Sequence, residues 1–399
     1  MLQSIADRGR ALIQRREPAR ERSAGLVETC EALLSGRGEA SGVALAGDIL
    51  ARYSALTIGP RVAFFEALET TFGYDRPHID AAIAAWRESP TPANAAELHR
   101  ASEPRRLELF RRLNLAPGGT AALVRMREQL LDAMRHREDL AAIDNDFVHL
   151  FTSWFNRGFL VLRRIDWSTP AVVLQKIIQY EAVHQIRDWD DLRRRIDLPD
   201  RRCFAFFHPA LVDEPLIFVE VALTSDIPDS IQSVLEEEAP KTGEALARPT
   251  TAVFYSISNC QEGLRGISFG NLLIKQVAEE LKREFPHLRR FATLSPAPGF
   301  RRWLAEAKVP AEKGGDLMRR LDDPAWHLGE IPETLERLLT RLCACYLMHA
   351  KQGLEPLDPV ARFHLANGAS LDRLNWMGDT SEQGMSRSAG LMVNYVYWL

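Results

Sequence analysis

Strict alternation of apolar and polar positions is nearly absent from the first 156 residues. Runs such as Val62 to Leu68, His78 to Trp86 and Leu123 to Met134 are instead rich in Ala, Leu, Glu and Arg, the strong helix formers. Glycine and proline interrupt them at Gly36 to Gly42, Gly59-Pro60, Gly73 to Pro77, Pro90 to Pro92 and Pro117 to Gly119. The pattern predicts an antiparallel helical bundle over residues 1–156. The break at Asn156-Arg157-Gly158 then opens a second domain, 157–399.

In that domain the pattern mixes both periods. Short runs of β-branched and aromatic residues predict strands at Arg202 to Phe207, Leu216 to Leu223, Thr251 to Ser258 and Arg290 to Leu294. Further strands are expected near Arg362 to Leu365 and Ser370 to Trp376. Helices are expected at Ala171 to His184, Asp188 to Ile196, Asp229 to Glu238, Asn271 to Phe285, Arg301 to Ala307 and Pro332 to Ala350. In Asn271 to Phe285 the apolar residues Leu273, Val277, Leu281 and Phe285 fall four apart, on one helix face. Strand, helix and strand from Thr251 to Leu294 therefore predict a parallel crossover. The expected fold is a helical bundle followed by a mixed α/β domain.

Charge and cysteine content narrow the partners. The net charge is −4, with no broad basic field, which argues against nucleic acid. No apolar run approaches 18 residues, so no membrane span is expected. Five scattered cysteines suit a reducing, cytoplasmic setting better than a disulfide framework. Cys343 and Cys345 have no matching second pair, so no zinc site is expected. The first 22 residues hold six arginines against three acids, a balance that a transit peptide shares, but Asp7, Glu17 and Glu21 with Leu2, Ile5, Leu12 and Ile13 suit an ordinary surface helix. Arg111, Arg112, Arg125, Arg127, Arg135 and Arg137 read as a solvated helix face.

Candidate chemistry sits in three places. The link Asn259 to Gly270 carries Gly263, Gly266 and Gly270, which allow tight turns and close approach of a ligand to the backbone. The helix that follows offers unpaired N–H groups, a place for a diphosphate; a glycine-containing turn without a ligand fits the same residues. Ser295, in Leu294 to Phe300, stands at the carboxyl end of a strand, where open α/β sheets place ligands; it also reads as a helix N-cap. His364 lies between Phe363 and Leu365 and, by alternation in a strand, faces away from both.

The segments FYSIS…GLRG…LIK…LKREFPHL…LSPAPGF and FHLANGASLDRLNWMGD…GLMVNYVYWL resemble malonyl-CoA decarboxylases, as does the stretch from His208-Pro209 to Thr224. Together they cover about Trp167 to Leu399. The catalytic half of that family resembles the acyl-CoA-binding fold of Gcn5-type N-acetyltransferases. The resemblance implies conversion of malonyl-CoA to acetyl-CoA and CO2 without metal or prosthetic group. It implies that Arg265, Gly266, Ile267, Ser268, Phe269, Gly270 and Asn271 hold the CoA phosphates. It implies that Ser295, His364 and Tyr397 carry the chemistry, with His364 protonating the enolate. Animal members carry glutamate where this chain has Ser268, so no carboxylate role transfers to that position. A homo-oligomer through the helical domain is expected. An acyl-CoA N-acyltransferase or a non-catalytic acyl-CoA sensor would fit the same loop, but the pairing of Ser295 with His364 argues against a sensor.

Overall fold

The computed structural model describes residues 19–36, 38–235, 248–267, 273–306, 318–323 and 325–398. The arginine-rich first 18 residues, most of the loop expected at Pro240 to Pro249 and much of the connection Lys313 to Pro324 lie outside them. The chain forms two compact units. One comprises Met1–Phe159 with Pro209–Val212 and Gln261–Ser268; the other comprises Leu160–His208, Asp213–Cys260 and Phe269–Leu399.

The first unit is helical: α1 Ala19–Ser35, α2 Glu39–Ser54, α3 Ile58–Thr70, α4 Arg76–Glu88, α5 Pro92–Ala101, α6 Arg105–Asn114, α7 Gly119–Met134 and α8 Ala141–Trp154. Local chemistry sets several starts. Asp75 accepts the His78 N–H and Thr91 accepts the Asn94 N–H, each with a proline in the first turn of its helix. Aromatic side chains fill the interior, including Phe110 stacked on Phe147 at 4.3 Å between ring centres. The arginine face is not uniform. Arg125 and Arg135 are exposed and Arg111, Arg112 and Arg137 are half-buried, but Arg127 is buried. Its guanidinium meets Asp144 and two backbone carbonyls, which replace the water it gives up.

The second unit is built on one sheet. Its strands are β1 Val161–Ile165, β2 Arg201–Phe207, β3 Pro215–Thr224, β4 Thr251–Asn259, β5 Arg290–Thr293, β6 Ser295–Pro296, β9 Ala369–Asn375 and β10 Met392–Tyr397. The segments β7 Lys351–Gln352 and β8 Glu355–Pro356 form a separate two-stranded ladder. Strands β1 to β4 pair antiparallel, β4 and β5 pair parallel, and β10 lies between β5/β6 and β9. Helices α9 Ala171–Tyr180 and α10 Trp189–Ile196 bury Val173, Leu174, Ile177, Leu192 and Ile196 against Cys203, Ala205 and Phe207 of β2. The short α11, Ile231–Leu235, covers Val253, Tyr255, Leu294 and Met392. Helix α12, Leu273–Glu284, makes the crossover from β4 to β5 and buries Leu273, Val277 and Leu281. Helices α13 Phe300–Glu306, α14 Glu333–His349, α15 Pro359–Ala366 and α16 Glu382–Ser388 complete the unit.

Three readings of the pattern change. The strand expected at Arg362 to Leu365 is helix α15. Asp358 caps it, accepting the N–H groups of Val360 and Ala361. Pro359 occupies its first turn, and Gly368, at φ +82°, follows its end. These are ordinary helix start and stop signals, and they override the short alternation Phe363-His364-Leu365. Strand β10, not anticipated from the pattern, is central to the sheet rather than a tail. Helix α9 also stops at Tyr180, short of the expected His184.

Candidate active site

Ser295 sits where two parallel strands part. β4 and β5 are in register from Thr251↔Arg290 to Phe254↔Thr293, and the Leu294 N–H still reaches the Phe254 carbonyl at 3.0 Å. Beyond it the chain leaves β4 and continues beside β10, pairing Ser295 with Val393, while β4 runs on to Asn259. Pro296 and Pro298 have no N–H to continue the ladder with β4. Ser295 belongs to β6, and α13 begins five residues later at Phe300, so the serine does not cap that helix.

Helix α15 brings His364 to this point. Its Nε2 lies 3.1 Å from Ser295 Oγ, and its Nδ1 lies 2.8 Å from the Tyr397 hydroxyl. Ser295 Oγ donates to Thr293 Oγ1 at 2.9 Å, and Thr293 Oγ1 accepts the Tyr395 N–H at 3.2 Å. The imidazole stacks on the Tyr395 ring, with centres 4.7 Å apart. Ser295, His364, Tyr395 and Tyr397 are all buried. The three residues expected to carry the chemistry therefore form one hydrogen-bonded line. With the imidazole proton on Nε2, the line runs from Tyr397 through His364 to Ser295 and Thr293. With the proton on Nδ1, the whole line reverses: Nδ1–H donates to the Tyr397 hydroxyl, Ser295 donates its one proton to Nε2, and Thr293 becomes the donor to Ser295.

Thr293, Tyr395 and Asp358 were not singled out from the sequence. Asp358 joins the serine loop to the histidine helix. Besides capping α15 it accepts the Tyr346 hydroxyl at 3.1 Å and the Gly299 N–H. A side chain at Gly299 would collide with the Tyr346 hydroxyl, 2.2 Å from an ideal Cβ. The glycine after Pro298 is thus required by packing. Burial pushes the Asp358 carboxyl up, and these hydrogen bonds oppose the shift. The Asp-Pro pair was the signal that could have located this joint.

The proposed phosphate loop is only partly described: Ser268, Phe269, Gly270 and Asn271 lie outside the described residues. Arg265, Gly266 and Ile267 form a turn in which Gly266 takes φ +81° with open space around it. Gly263 has another reason to be glycine. An ideal Cβ there would stand 2.0 Å from the Val124 carbonyl of α7, so it serves close packing within the helical unit. Among the described residues no group of three or more His, Cys, Asp or Glu is placed to hold a metal ion. No helix among them is long and apolar enough to cross a membrane.

Burial changes the electrostatics of His364. Its pKa is pushed down to about 3, from desolvation alone, so the imidazole is neutral at pH 7. The unfolded chain, with histidine near 6.5, binds a proton that the folded site refuses. Stability is therefore expected to fall as pH drops from about 6.5 toward 3. Buried His184, pushed down to about 4, acts in the same direction. Urea midpoints between pH 7 and pH 4 should decline less steeply for His364→Gln than for the parent; equal slopes would mean that His364 charges freely in the folded state.

Comparison with known proteins identifies the family. The family described as "Malonyl-CoA decarboxylase C-terminal domain" matches residues 158–399, and its N-terminal counterpart matches residues 72–155. The mitochondrial malonyl-CoA decarboxylase of Rattus norvegicus is 41% identical over 325 residues, covering 74% of this chain and 66% of the relative. That of Anser anser anser is 41% identical over 329 residues, covering 74% and 64%. The chain thus spans about two thirds of the length of these curated relatives. The crystal structure of malonyl-CoA decarboxylase from Rhodopseudomonas palustris is 54% identical, with a TM-score of 0.90 over 94% of this chain and 93% of that one. The Agrobacterium vitis enzyme is 52% identical, with a TM-score of 0.88 over the same shares. On these matches, which take in the serine turn, the histidine helix and the final strand, the chain belongs to the malonyl-CoA decarboxylase family.

Proposed function

We propose that this protein converts malonyl-CoA to acetyl-CoA and CO2, with Ser295, His364 and Tyr397 as its reacting side chains. The observation that carries the proposal is the buried line Tyr397–His364–Ser295 at the point where β4 and β5 part. The acyl arm of the substrate lies along the parted strands and presents the malonyl group to Ser295. Loss of CO2 moves the carboxylate's electrons onto the thioester oxygen. Donors pre-aimed at that oxygen lower the barrier, by roughly 3–4 kcal/mol each in comparable sites. A carboxylate brought into such a buried site loses water, and dispersing its charge in the transition state relieves that cost.

The neutral imidazole limits how the α-carbon can be protonated. His364 can release its Nε2 proton only as it gains one on Nδ1, where Tyr397 stands at 2.8 Å. Burial pushes the Tyr397 hydroxyl up, so the tyrosine retains a proton and serves as a conduit, with the net proton taken from solvent. Ser295 orients the malonyl group and bridges it to Nε2. On this reading no metal or prosthetic group is needed, because O–H and N–H donors meet all the charge that develops. The CoA diphosphate is held by the backbone of Arg265 to Asn271.

Malonyl-CoA incubated with the protein should release CO2 and acetyl-CoA in equal amounts with no amine present. CO2 release that requires an amine acceptor, or none at all from protein that binds malonyl-CoA, would refute the activity. The five unpaired thiols agree with a cytoplasmic site of action. We further propose self-association through the helical unit, where Ile58 and Leu115 are exposed. Light scattering that gives a monomer mass for the intact protein would reject it.

A further inference from the structure

We infer that Arg127, a buried side chain in the helical unit, is a positioning residue for CoA: it fixes the one peptide plane of the phosphate loop that presents the Gly266 N–H. The inference rests on the proposed function, in which this loop binds the CoA diphosphate.

Leu264 to Ile267 form a type II turn. Arg265 has φ −56° and ψ 131°, Gly266 has φ +81°, and the Ile267 N–H donates to the Leu264 carbonyl at 3.0 Å. What separates a type II from a type I turn is the orientation of the central peptide, here the Arg265 carbonyl and Gly266 N–H. Arg127 Nη1 donates to that carbonyl at 2.9 Å and to the Gly263 carbonyl at 2.8 Å. Its Nε donates to Asp144 at 2.7 Å. In a trans peptide the N–H points opposite to the C=O, so the Gly266 N–H is turned away from the guanidinium. It donates to no backbone carbonyl among the described residues. Turning the plane over would break a charge-assisted bond and aim an N–H at a buried cation.

A second contact holds the loop at this distance. Val124 and Arg127 lie on one face of α7. The Val124 carbonyl is so close to Gly263 that an ideal Cβ there would stand 2.0 Å from it. The helix thus meets the loop twice, with Val124 setting the separation and Arg127 the orientation. Because Arg127 is paired with Asp144 and buried, it offers no net charge to a phosphate. Arg265 is the opposite case. Its side chain is 64% exposed and only 3.8 Å from Glu262, so it can reach an anion directly.

The two roles have different signatures, and calorimetry with CoA on the full chain separates them. Arg127→Met should weaken CoA binding by about 10-fold or more. It should raise KM for malonyl-CoA in proportion, leave kcat within about twofold of the parent, and keep the salt dependence of binding unchanged. Arg265→Ala should weaken binding and flatten its salt dependence, as expected for a lost phosphate contact. Should Arg127→Met fail to fold, Arg127→Lys carries the test: one ammonium cannot serve both carbonyls and Asp144 with the guanidinium's geometry, so it too should raise KM. A folded Arg127 variant that binds CoA as tightly as the parent overturns this inference alone. A parent protein that does not bind CoA overturns the CoA-site reading with it.

Discussion

His364→Ala and Ser295→Ala are each expected to lower kcat for CO2 release by at least about 10²-fold, the usual scale for a positioned acid or base. CoA affinity should change little, since the phosphate loop is a separate segment. The double variant should be only slightly slower than the poorer single one. The reason is geometric. His364 Nε2 and Ser295 Oγ are 3.1 Å apart in one buried line, so removing either leaves the other without the partner that orients it. A serine with only a structural role would behave otherwise, costing about 1 kcal/mol or less of net hydrogen bonding and leaving kcat nearly intact. Melting temperature, CoA affinity and kcat measured on the same samples distinguish the cases. Near-normal turnover by folded His364→Ala protein would remove the histidine from the mechanism.

The largest expected loss of stability lies in the helical unit. Arg106 is fully buried, with its Nε 2.5 Å from Asp146 and its Nη1 3.0 Å from Glu69 and 3.3 Å from the Leu68 carbonyl. Burial pushes the Asp146 carboxyl up even with Arg106 beside it, so the carboxylate depends on that cation. Arg106→Met leaves the charge uncompensated and should destabilise the protein by about 3–5 kcal/mol, as seen when one partner of a buried pair is removed. The melting transition should fall by about 10 °C. Replacing both partners, Arg106→Met with Asp146→Leu, should recover most of the loss, because neither desolvated charge remains. Thermal melts of the two single variants and the double variant test this. A double variant no more stable than Arg106→Met would show that the arginine acts through packing rather than charge.

Much of this protein is readable from local pattern. Helices with a continuous apolar face are decided by residues three and four apart, and Leu273, Val277 and Leu281 of α12 are buried as their spacing requires. The same holds for β2, β3 and β4, whose apolar runs can bury both faces only inside a sheet. The serine turn is marked by its own prolines, which cannot continue a ladder.

The readings that failed had two local signals in conflict or had a partner distant in sequence. At Phe363-His364-Leu365 three alternating residues suggested a strand, but a four-residue strand has no ladder of its own. The Asp358 cap and Pro359 start a helix without outside help. Arg127 was read as solvated because a lone arginine on a helix gives no sign of its partners. Those partners are carbonyls 136 and 138 residues away. Strand β10 likewise gains its place only from its pairing with β5, β6 and β9. The sequence by itself therefore determined most of the helices, the strands β2 to β5 and which residue types could carry the chemistry. Only the tertiary structure decided that Tyr397, His364 and Ser295 form one line and that Arg127 ties down the Gly263 and Arg265 carbonyls, because those contacts join segments that local propensity cannot relate.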